Sequence, residues 1–200
     1  MPARPDRRLG ELADVGRPAQ IDRAAVLSVS LQLVDEQGLA AMTMQAVADR
    51  MGVTPMALYR HVKNKADLLD GLVESILLEV PLPDPNDPWP DRLAAMARGT
   101  RIAALRYPGV FPLLLQRAAA TPGARRTRDV VCTALRQAGL PEGDAAQLER
   151  LLSAVTLGFA ASEAGGRFAA LSPEQLDADF ARLLDVVDGA VLGALAATTP

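Results

Sequence analysis

The segment from Met42 to Asp70 constrains the fold of this chain more than any other part of the sequence. It combines two short helical patterns, separated by a few residues around Gly52, with the beginning of a third helix. It also holds both lysines of the protein and its only histidine. Two helices joined by a tight turn around a glycine have the spacing of a helix-turn-helix unit, whose second helix enters the DNA major groove. We therefore expect an all-α protein with a helix-turn-helix domain near its N-terminus.

Capping residues predict where these two helices begin and end. Thr43 is a favourable N-cap for the first helix, and Gly52 can end it because glycine accepts the left-handed conformation. Thr54 is a second N-cap, followed by Pro55 at the first helical position, where the missing N–H costs nothing. The second helix is predicted to span about 55–62.

Two further helices complete the predicted head of the protein. A longer amphipathic helix is expected to begin at Asn64 or Lys65 and to continue to about position 80. Upstream, Asp22 is the N-cap of another helix, which Gly38 ends. Three helices and the start of a fourth then form a compact DNA-binding unit.

Charge supports this interpretation locally and not over the whole chain. The net charge of −3 does not by itself indicate a nucleic-acid partner. From Arg50 to Ala66, however, four side chains are basic and none is acidic. The DNA interpretation therefore depends on where the charges lie.

The residues from Gly52 to Asp70 resemble a known family. Their order, G-V-x-x-x-x-L-Y-x-H-V-x-N-K-x-x-L-L-D, is similar to that of the tetracycline-repressor (TetR) family of transcriptional regulators. The resemblance is strong over residues 20–80 and continues more faintly through D-P-W-P-D-R-L, from Asp87 to Leu93. It implies a three-helix DNA-binding domain followed by a helical ligand-binding and dimerisation domain.

Proline-rich stretches divide the chain into three parts. Residues 1–19 are interpreted as a flexible arm, either solvated or in contact with DNA. Residues 20–80 are the helix-turn-helix domain with its connecting helix. The linker from Pro81 to Pro85 cannot be helical, and residues 86–197 are the ligand-binding and dimerisation domain.

The third part is predicted to be helical throughout. Its helices are expected over about 87–107, 121–137, 145–164 and from Pro173 onward, with a short apolar segment over 111–119. The last two long helices carry continuous apolar stripes, which could pack within the chain. The resemblance implies instead that they form a four-helix bundle with a second copy. A homodimer is expected, because a two-fold dimer reads two half-sites.

The resemblance assigns DNA contacts residue by residue. These are Thr43, Gln45, Pro55, Met56, Ala57, Tyr59, Arg60, His61 and Lys65. Gln45 would reach a base edge and Arg60 could hydrogen-bond guanine. Tyr59, His61 and Lys65 would hold phosphates, which position a protein without reading sequence; for His61 a helix-capping role is the alternative. Because Gln45 and Arg60 replace different residues of the tetracycline repressor itself, another operator sequence is expected.

The second domain is expected to hold a small-molecule cavity between its helices. Candidate walls are Leu93, Met96, Thr100, Phe111, Leu114, Val131, Leu135, Leu152, Thr156 and Phe159, with Gln116 and Glu163 as polar anchors. Each could also be plain core. A largely apolar cavity suits a small hydrophobic or amphipathic effector. The tetracycline repressor uses histidines to hold the drug's magnesium, but the matching positions near Pro81 and Leu113 cannot ligate a metal. Magnesium–tetracycline is therefore not the expected inducer.

Nothing in the sequence indicates catalysis, a metal or a cofactor. His61 lies in the DNA-binding segment, so no Ser-His-Asp or Cys-His arrangement is available. No Cys or His cluster has metal-ligand spacing, and no glycine loop resembles a phosphate cradle. The single cysteine, Cys132, fits a reducing cytoplasm, and no apolar run reaches membrane-spanning length.

These observations predict a cytoplasmic, ligand-responsive DNA-binding regulator. It would act as a repressor that a small hydrophobic effector releases from a palindromic operator. The alternative is a helical DNA-binding or protein-docking module without an effector. A ligand-sized cavity in the second domain would favour the first, and a solid core the second.

Overall fold

The computed structural model of the protein describes residues 21–117 and 120–198. Within these ranges the chain folds into nine α-helices and one 3₁₀ turn, with no β-strand. The elements are α1 (Arg23–Gln37), the 3₁₀ turn (Leu39–Ala41), α2 (Met44–Met51), α3 (Pro55–Leu58), α4 (Lys65–Glu79), α5 (Trp89–Arg106), α6 (Leu113–Gln116), α7 (Pro122–Gln137), α8 (Glu142–Ala164) and α9 (Pro173–Thr198). The predicted all-α fold is confirmed. The arm predicted over residues 1–19 lies outside the described residues.

Helices α1 to α4 form the head of the molecule. Helix α1 packs on both α2 and α4, and α2 packs on α3. The apolar side chains between them are buried and include Val26, Leu33, Val34, Met42, Val47, Leu58, Val62, Leu68 and Leu72. Leu58 and Val62 of this core hold residues 55–62, here called the recognition segment, against the other helices.

Each helix start in the head is formed by the residue that the sequence indicates. Thr43 Oγ1 accepts a hydrogen bond from the backbone N–H of Ala46 at 3.0 Å. The side chains of Thr54 and Asn64 accept the N–H of the third residue after them in the same way. Gly52 ends α2 in the left-handed conformation, with φ of 67°. These bonds satisfy backbone donors that a helix cannot satisfy internally.

The recognition helix is shorter than predicted. Regular α-helix ends at Leu58, whereas the sequence pattern predicted about Val62. The backbone N–H groups of Arg60 and His61 bond to carbonyls three residues back rather than four. The segment therefore continues as tight turns, in which Tyr59 and Arg60 remain exposed while Val62 is buried in the core.

Helix α8 begins earlier than predicted. It starts at Glu142, after Pro141, whereas the sequence pattern predicted a start near Ala145. Two acidic residues lie in its first turn, where they interact favourably with the helix dipole. The turn that precedes α8 is shorter as a result.

The second part of the molecule is built around α5. This helix packs on α4, α7, α8 and α9. One apolar core joins α5, α7, α8 and α9 and includes Leu93, Ala97, Ala134, Leu135, Leu152, Phe180, Leu183, Val187 and Val191. The core of the head also extends into this part through Met96, Ala103, Ala104 and Phe111. The head and the second part are thus packed against each other, with α4 shared between them.

Within the described ranges, no helix combines the length and the apolar character that crossing a membrane requires.

Candidate DNA-binding surface and effector cavity

The residues expected to contact DNA lie at the start of α2, along α3 and its following turn, and at the start of α4. None of the nine is buried. Met56 is the most exposed large apolar side chain among them, at 73%, and Tyr59 is exposed as well. An exposed methionine and tyrosine beside basic residues can make apolar contacts to bases and bonds to phosphates.

The basic side chains of this surface differ in their availability. Arg50, which contributes to the basic character of the segment, is paired with Glu36 of α1 at 2.7 Å. Arg60, Lys63 and Lys65 are exposed and form no ion pair with any described residue. Three cations are therefore free to meet the phosphate backbone.

Gln45 is exposed but already bonded within its own helix. Its Nε2 donates to Asp49 Oδ1 at 2.7 Å. That bond uses one of the two Nε2 donors, so the second N–H and the Oε1 acceptor of Gln45 remain available for a base edge.

A carboxylate at the start of α4 joins the recognition segment to the rest of the head. Asp67 Oδ1 accepts from Arg23 Nη2 at 2.9 Å, and its Oδ2 accepts from the backbone N–H of Lys63 at 2.8 Å. Arg23 also donates to the carbonyl of His61 at 3.1 Å. The hydrogen bond from Arg23 holds the pKa of Asp67 below its ordinary value. Sequence reasoning did not find this pair, because Arg23 and Asp67 stand 44 positions apart.

A cavity of about 550 Å³ lies in the second part, between α4, α5, α7 and α8. This volume is within the range of sites that bind small molecules. Among the residues predicted to line a cavity, those found on its wall are Leu93, Met96, Thr100, Leu114, Val131, Leu152 and Thr156.

The other five candidates lie away from the cavity wall. Phe111 and Leu135 are fully buried in the two apolar cores, and Gln116 is exposed at the end of α6. Phe159 packs against other aromatic rings, with its centroid 5.7 Å from that of Phe180. Glu163 is bound to Arg101 at 2.7 Å, which leaves its carboxylate engaged.

Several wall residues were not anticipated from the sequence. Val73 and Leu77 of α4 form part of the wall. So do the charged residues Arg117, Arg125, Arg128, Glu149 and Arg150. The run of arginines on α7 was a signal visible in the sequence, but its direction toward a cavity depends on packing between distant helices.

Two arginines from the second part hold α4 near its two ends. Arg117, which lines the cavity, donates to Asp70 Oδ1 at 2.6 Å and to the carbonyl of Ala66. Arg126 of α7 donates to the carbonyl of Val80 at 3.0 Å. Val73 and Leu77 of α4, which form part of the cavity wall, lie between these two points. A change in the cavity can therefore reach the helix that begins directly after the recognition segment.

In the part of the chain that the structure describes, no group of three or more His, Cys, Asp or Glu side chains is placed to hold a metal ion.

A helix-turn-helix head that shares a helix with a second helical part, in which a cavity of about 550 Å³ lies, is the architecture of one-component transcriptional regulators. Residues 26–72 match the family described as bacterial regulatory proteins, tetR family. Residues 93–187 match the tetracyclin repressor-like C-terminal domain. The chain belongs to the TetR family.

Among similar proteins is the tetracycline repressor protein class A from transposon 1721 of Escherichia coli. It is 34% identical over 146 residues, which cover 70% of this chain and 66% of that protein. For the class D repressor of Escherichia coli the covered share of the relative falls to 42%. The chain thus matches about two thirds or less of the length of these curated relatives.

Two solved structures share the fold. A variant of TetR from Acinetobacter baumannii AYE, in complex with minocycline, has a TM-score of 0.75 and 25% identity, covering 90% of this chain and 100% of that one. BioQ with its natural double-stranded DNA operator has a TM-score of 0.65 and 25% identity, covering 84% of this chain and 98% of that one.

Proposed function

We propose that this protein is a ligand-responsive DNA-binding transcriptional repressor. It binds a palindromic operator as a homodimer and is released from it by a small molecule in the cavity. The observation that carries the proposal is the position of α4. Its first turn follows the exposed recognition segment, and Val73 and Leu77 in its second half form part of the cavity wall.

The head supplies the DNA-binding surface. Met56 and Arg60 are exposed for base contacts, and Tyr59 and Lys65 for phosphates. The remaining contacts from Thr43, Gln45, Pro55, Ala57 and His61 are assigned by the family motif. Similar proteins support this role: the class A relative is named a repressor, and the BioQ neighbour was solved on its operator. A protein that binds operator DNA in a bacterium acts in the cytoplasm, and we assign no catalytic activity to it.

The outer faces of α8 and α9 support a homodimer. Large apolar side chains are exposed there, with Leu151 at 58% and Val186 at 62% exposure. On the same two helices, a Cβ added at Gly158 or Gly189 would meet no atom within 4 Å. Apolar, open helix faces of this kind become buried when two copies pack as a four-helix bundle. A dimer also places two recognition segments on the two half-sites of a palindrome.

The cavity favours an effector-controlled protein over a DNA-binding or docking module without one. A solid core would have supported the second function, whereas about 550 Å³ of open space lies beside α4. The minocycline complex of the Acinetobacter protein shows that a neighbour of this fold accommodates a drug-sized molecule. We propose Met96, Thr100, Leu114, Val131, Leu152 and Thr156 as effector contacts.

Selection from a library of random DNA duplexes tests the proposal. The purified protein should enrich a palindrome with two half-sites, and two chains should bind each duplex. Affinity for the selected duplex should fall steeply with salt, because phosphate contacts release counterions. Enrichment of no palindrome would contradict the proposed function.

A further inference from the structure

The effector cavity is lined by an unequal set of charges. Four arginines, Arg117, Arg125, Arg128 and Arg150, face it together with a single carboxylate, Glu149. This excess of positive charge occurs in a chain whose net charge is −3. The cavity is therefore more basic than the protein as a whole.

Two of these arginines are already engaged with carboxylates. Arg128 Nε lies 3.1 Å from Glu149 Oε2, and Arg117 is paired with Asp70. Glu149 also accepts a hydrogen bond from Ser153 Oγ at 2.9 Å, and its side chain is only 7% exposed. The one carboxylate of the cavity is thus compensated by protein groups and is not available to attract a cation.

The other two arginines are free. The side chains of Arg125 on α7 and Arg150 on α8 form no ion pair or hydrogen bond with any described residue. Both are exposed while lining the cavity, so they lie at its solvent edge. The interior is apolar, with buried Met96, Ala97 and Leu152 on its wall.

We propose that the effector is an amphipathic organic anion. Its apolar body lies among Met96, Ala97 and Leu152, and its carboxylate or sulfonate is bound by Arg125 and Arg150. Guanidinium groups present planar pairs of donors that match such oxyanions, and the hydrogen bonds are strengthened by the charges. A cationic molecule of the same shape would meet two uncompensated positive charges and be rejected. This inference rests on the proposed function in taking the cavity as the effector site.

A pair of fluorescent probes tests the charge preference without DNA. 8-Anilinonaphthalene-1-sulfonate and N-phenyl-1-naphthylamine share the same aromatic body and differ by the sulfonate. The wild-type protein should bind the sulfonate more tightly, by about tenfold, as expected for charge-assisted hydrogen bonds. The double variant Arg125→Gln/Arg150→Gln should lose about that factor for the sulfonate and bind the neutral probe unchanged.

Two further variants make the result specific. Arg98→Gln removes an exposed arginine of α5 that neither lines the cavity nor pairs with a described residue, and it should leave both affinities unchanged. Thr100 is a half-buried residue of the cavity wall, and Thr100→Trp places a larger side chain there. This variant should weaken the binding of both probes. Circular dichroism and the Tm establish that each variant is folded.

Equal affinity of the wild type for the two probes would overturn the proposal. The proposal would also be overturned if the double variant bound the sulfonate as tightly as the wild type does. The same holds if Thr100→Trp left the affinity for both probes unchanged. None of these measurements involves an operator, so a failure here is distinct from a failure to select a palindrome.

Discussion

Arg60 and Lys65 carry the same charge but are expected to act differently on DNA. Arg60→Ala should cost about 1–3 kcal/mol of binding free energy and relax the preference at one base pair in each half-site. Lys65→Ala should weaken binding to all sequences alike, since a phosphate contact carries no sequence information. Affinities for the selected palindrome and its single-base variants measure both effects. If neither variant changes base preference, Arg60 is only a phosphate anchor.

Asp67 gives the head a stability that depends on pH. Its hydrogen bond from Arg23 lowers its folded-state pKa from the ordinary 3.8, so the contribution is fully present above about pH 4 and is lost as pH falls through the lowered value. Asp67→Asn weakens the pair with Arg23 and should reduce the free energy of unfolding by about 1 kcal/mol near neutral pH. The effect is small because the Arg23 side chain is 37% exposed and solvent screens the pair.

Urea unfolding of wild type and variant from about pH 7 to about pH 3 measures this difference. The difference should shrink toward the acid end. Asp35→Asn, at an exposed position of α1 without an ion pair to any described residue, is the matched control and should show little difference at any pH. A difference for Asp67→Asn that does not vary with pH would contradict this account.

Single residues were predictable where their role is local. Thr43 and Thr54 were identified as helix caps because a cap bonds to an N–H three residues along the chain. Glu163 was expected to anchor a ligand, yet it pairs with Arg101, 62 positions away. No local pattern reveals a partner at that distance. The role of the arginines at the cavity edge was not predicted because their direction toward the cavity depends on packing between distant helices.

At the scale of elements, periodicity and caps predicted the existence and order of the helices. The long helices gave the strongest signal: the last one was expected from Pro173 onward and begins there, where Ser172 Oγ accepts the N–H of Gln175 at 3.3 Å. The predicted end of α3 was wrong, because the change from four-residue to three-residue hydrogen bonds depends on tertiary contacts, such as the bond from Arg23 of α1 to the carbonyl of His61. Sequence periodicity cannot distinguish these two bonding patterns over a single turn.

Helix α4 is the element that can carry a signal from the cavity to DNA. A ligand shifts a two-state equilibrium only by its difference in affinity for the two states. Moving this protein from a population that mostly binds DNA to one that mostly does not requires about 5.5 kcal/mol of such a difference. A tilt of α4 would move the two recognition segments of a dimer away from the roughly 34 Å that one turn of DNA requires.

Distances between spin labels measure this movement. Met56→Cys places a label on each recognition segment at a highly exposed site, in a Cys132→Ser background that removes the only native thiol. Addition of a molecule that releases DNA should shift or broaden the distance distribution. An unchanged distribution in such a sample would rule out α4 as a lever.

At the scale of the whole molecule, dimerisation should depend on the outer faces of α8 and α9. The double variant Leu151→Glu/Val155→Glu places charges where two exposed apolar side chains stand and should shift the protein to monomer. Sedimentation velocity measures the change. Leu82→Glu, which charges an exposed leucine of the linker, should leave the dimer intact. A monomeric wild type, or a double variant that stays dimeric, would place the interface elsewhere.

The architecture of the whole chain could be predicted, but its open space could not. Leu135 and Leu152 are both leucines on apolar helix stripes, and only the second lies on the cavity wall. Whether an apolar stripe packs on another helix or lines a cavity depends on the distances between helices, and sequence periodicity gives no information about those distances. The core that joins the head to the second part was not predicted either. The proline-rich linker suggested two separate parts, and a sequence pattern does not show whether such parts pack together.

Hydroxyl-radical footprinting of the selected duplex is the most direct test of a dimeric operator-binding protein. We expect two protected patches on one face of the DNA, centred about one helical turn, roughly 34 Å, apart. The monomeric double variant should lose this pattern at the same chain concentration. A single protected patch with the wild-type protein would contradict the central claim that two recognition segments read one operator.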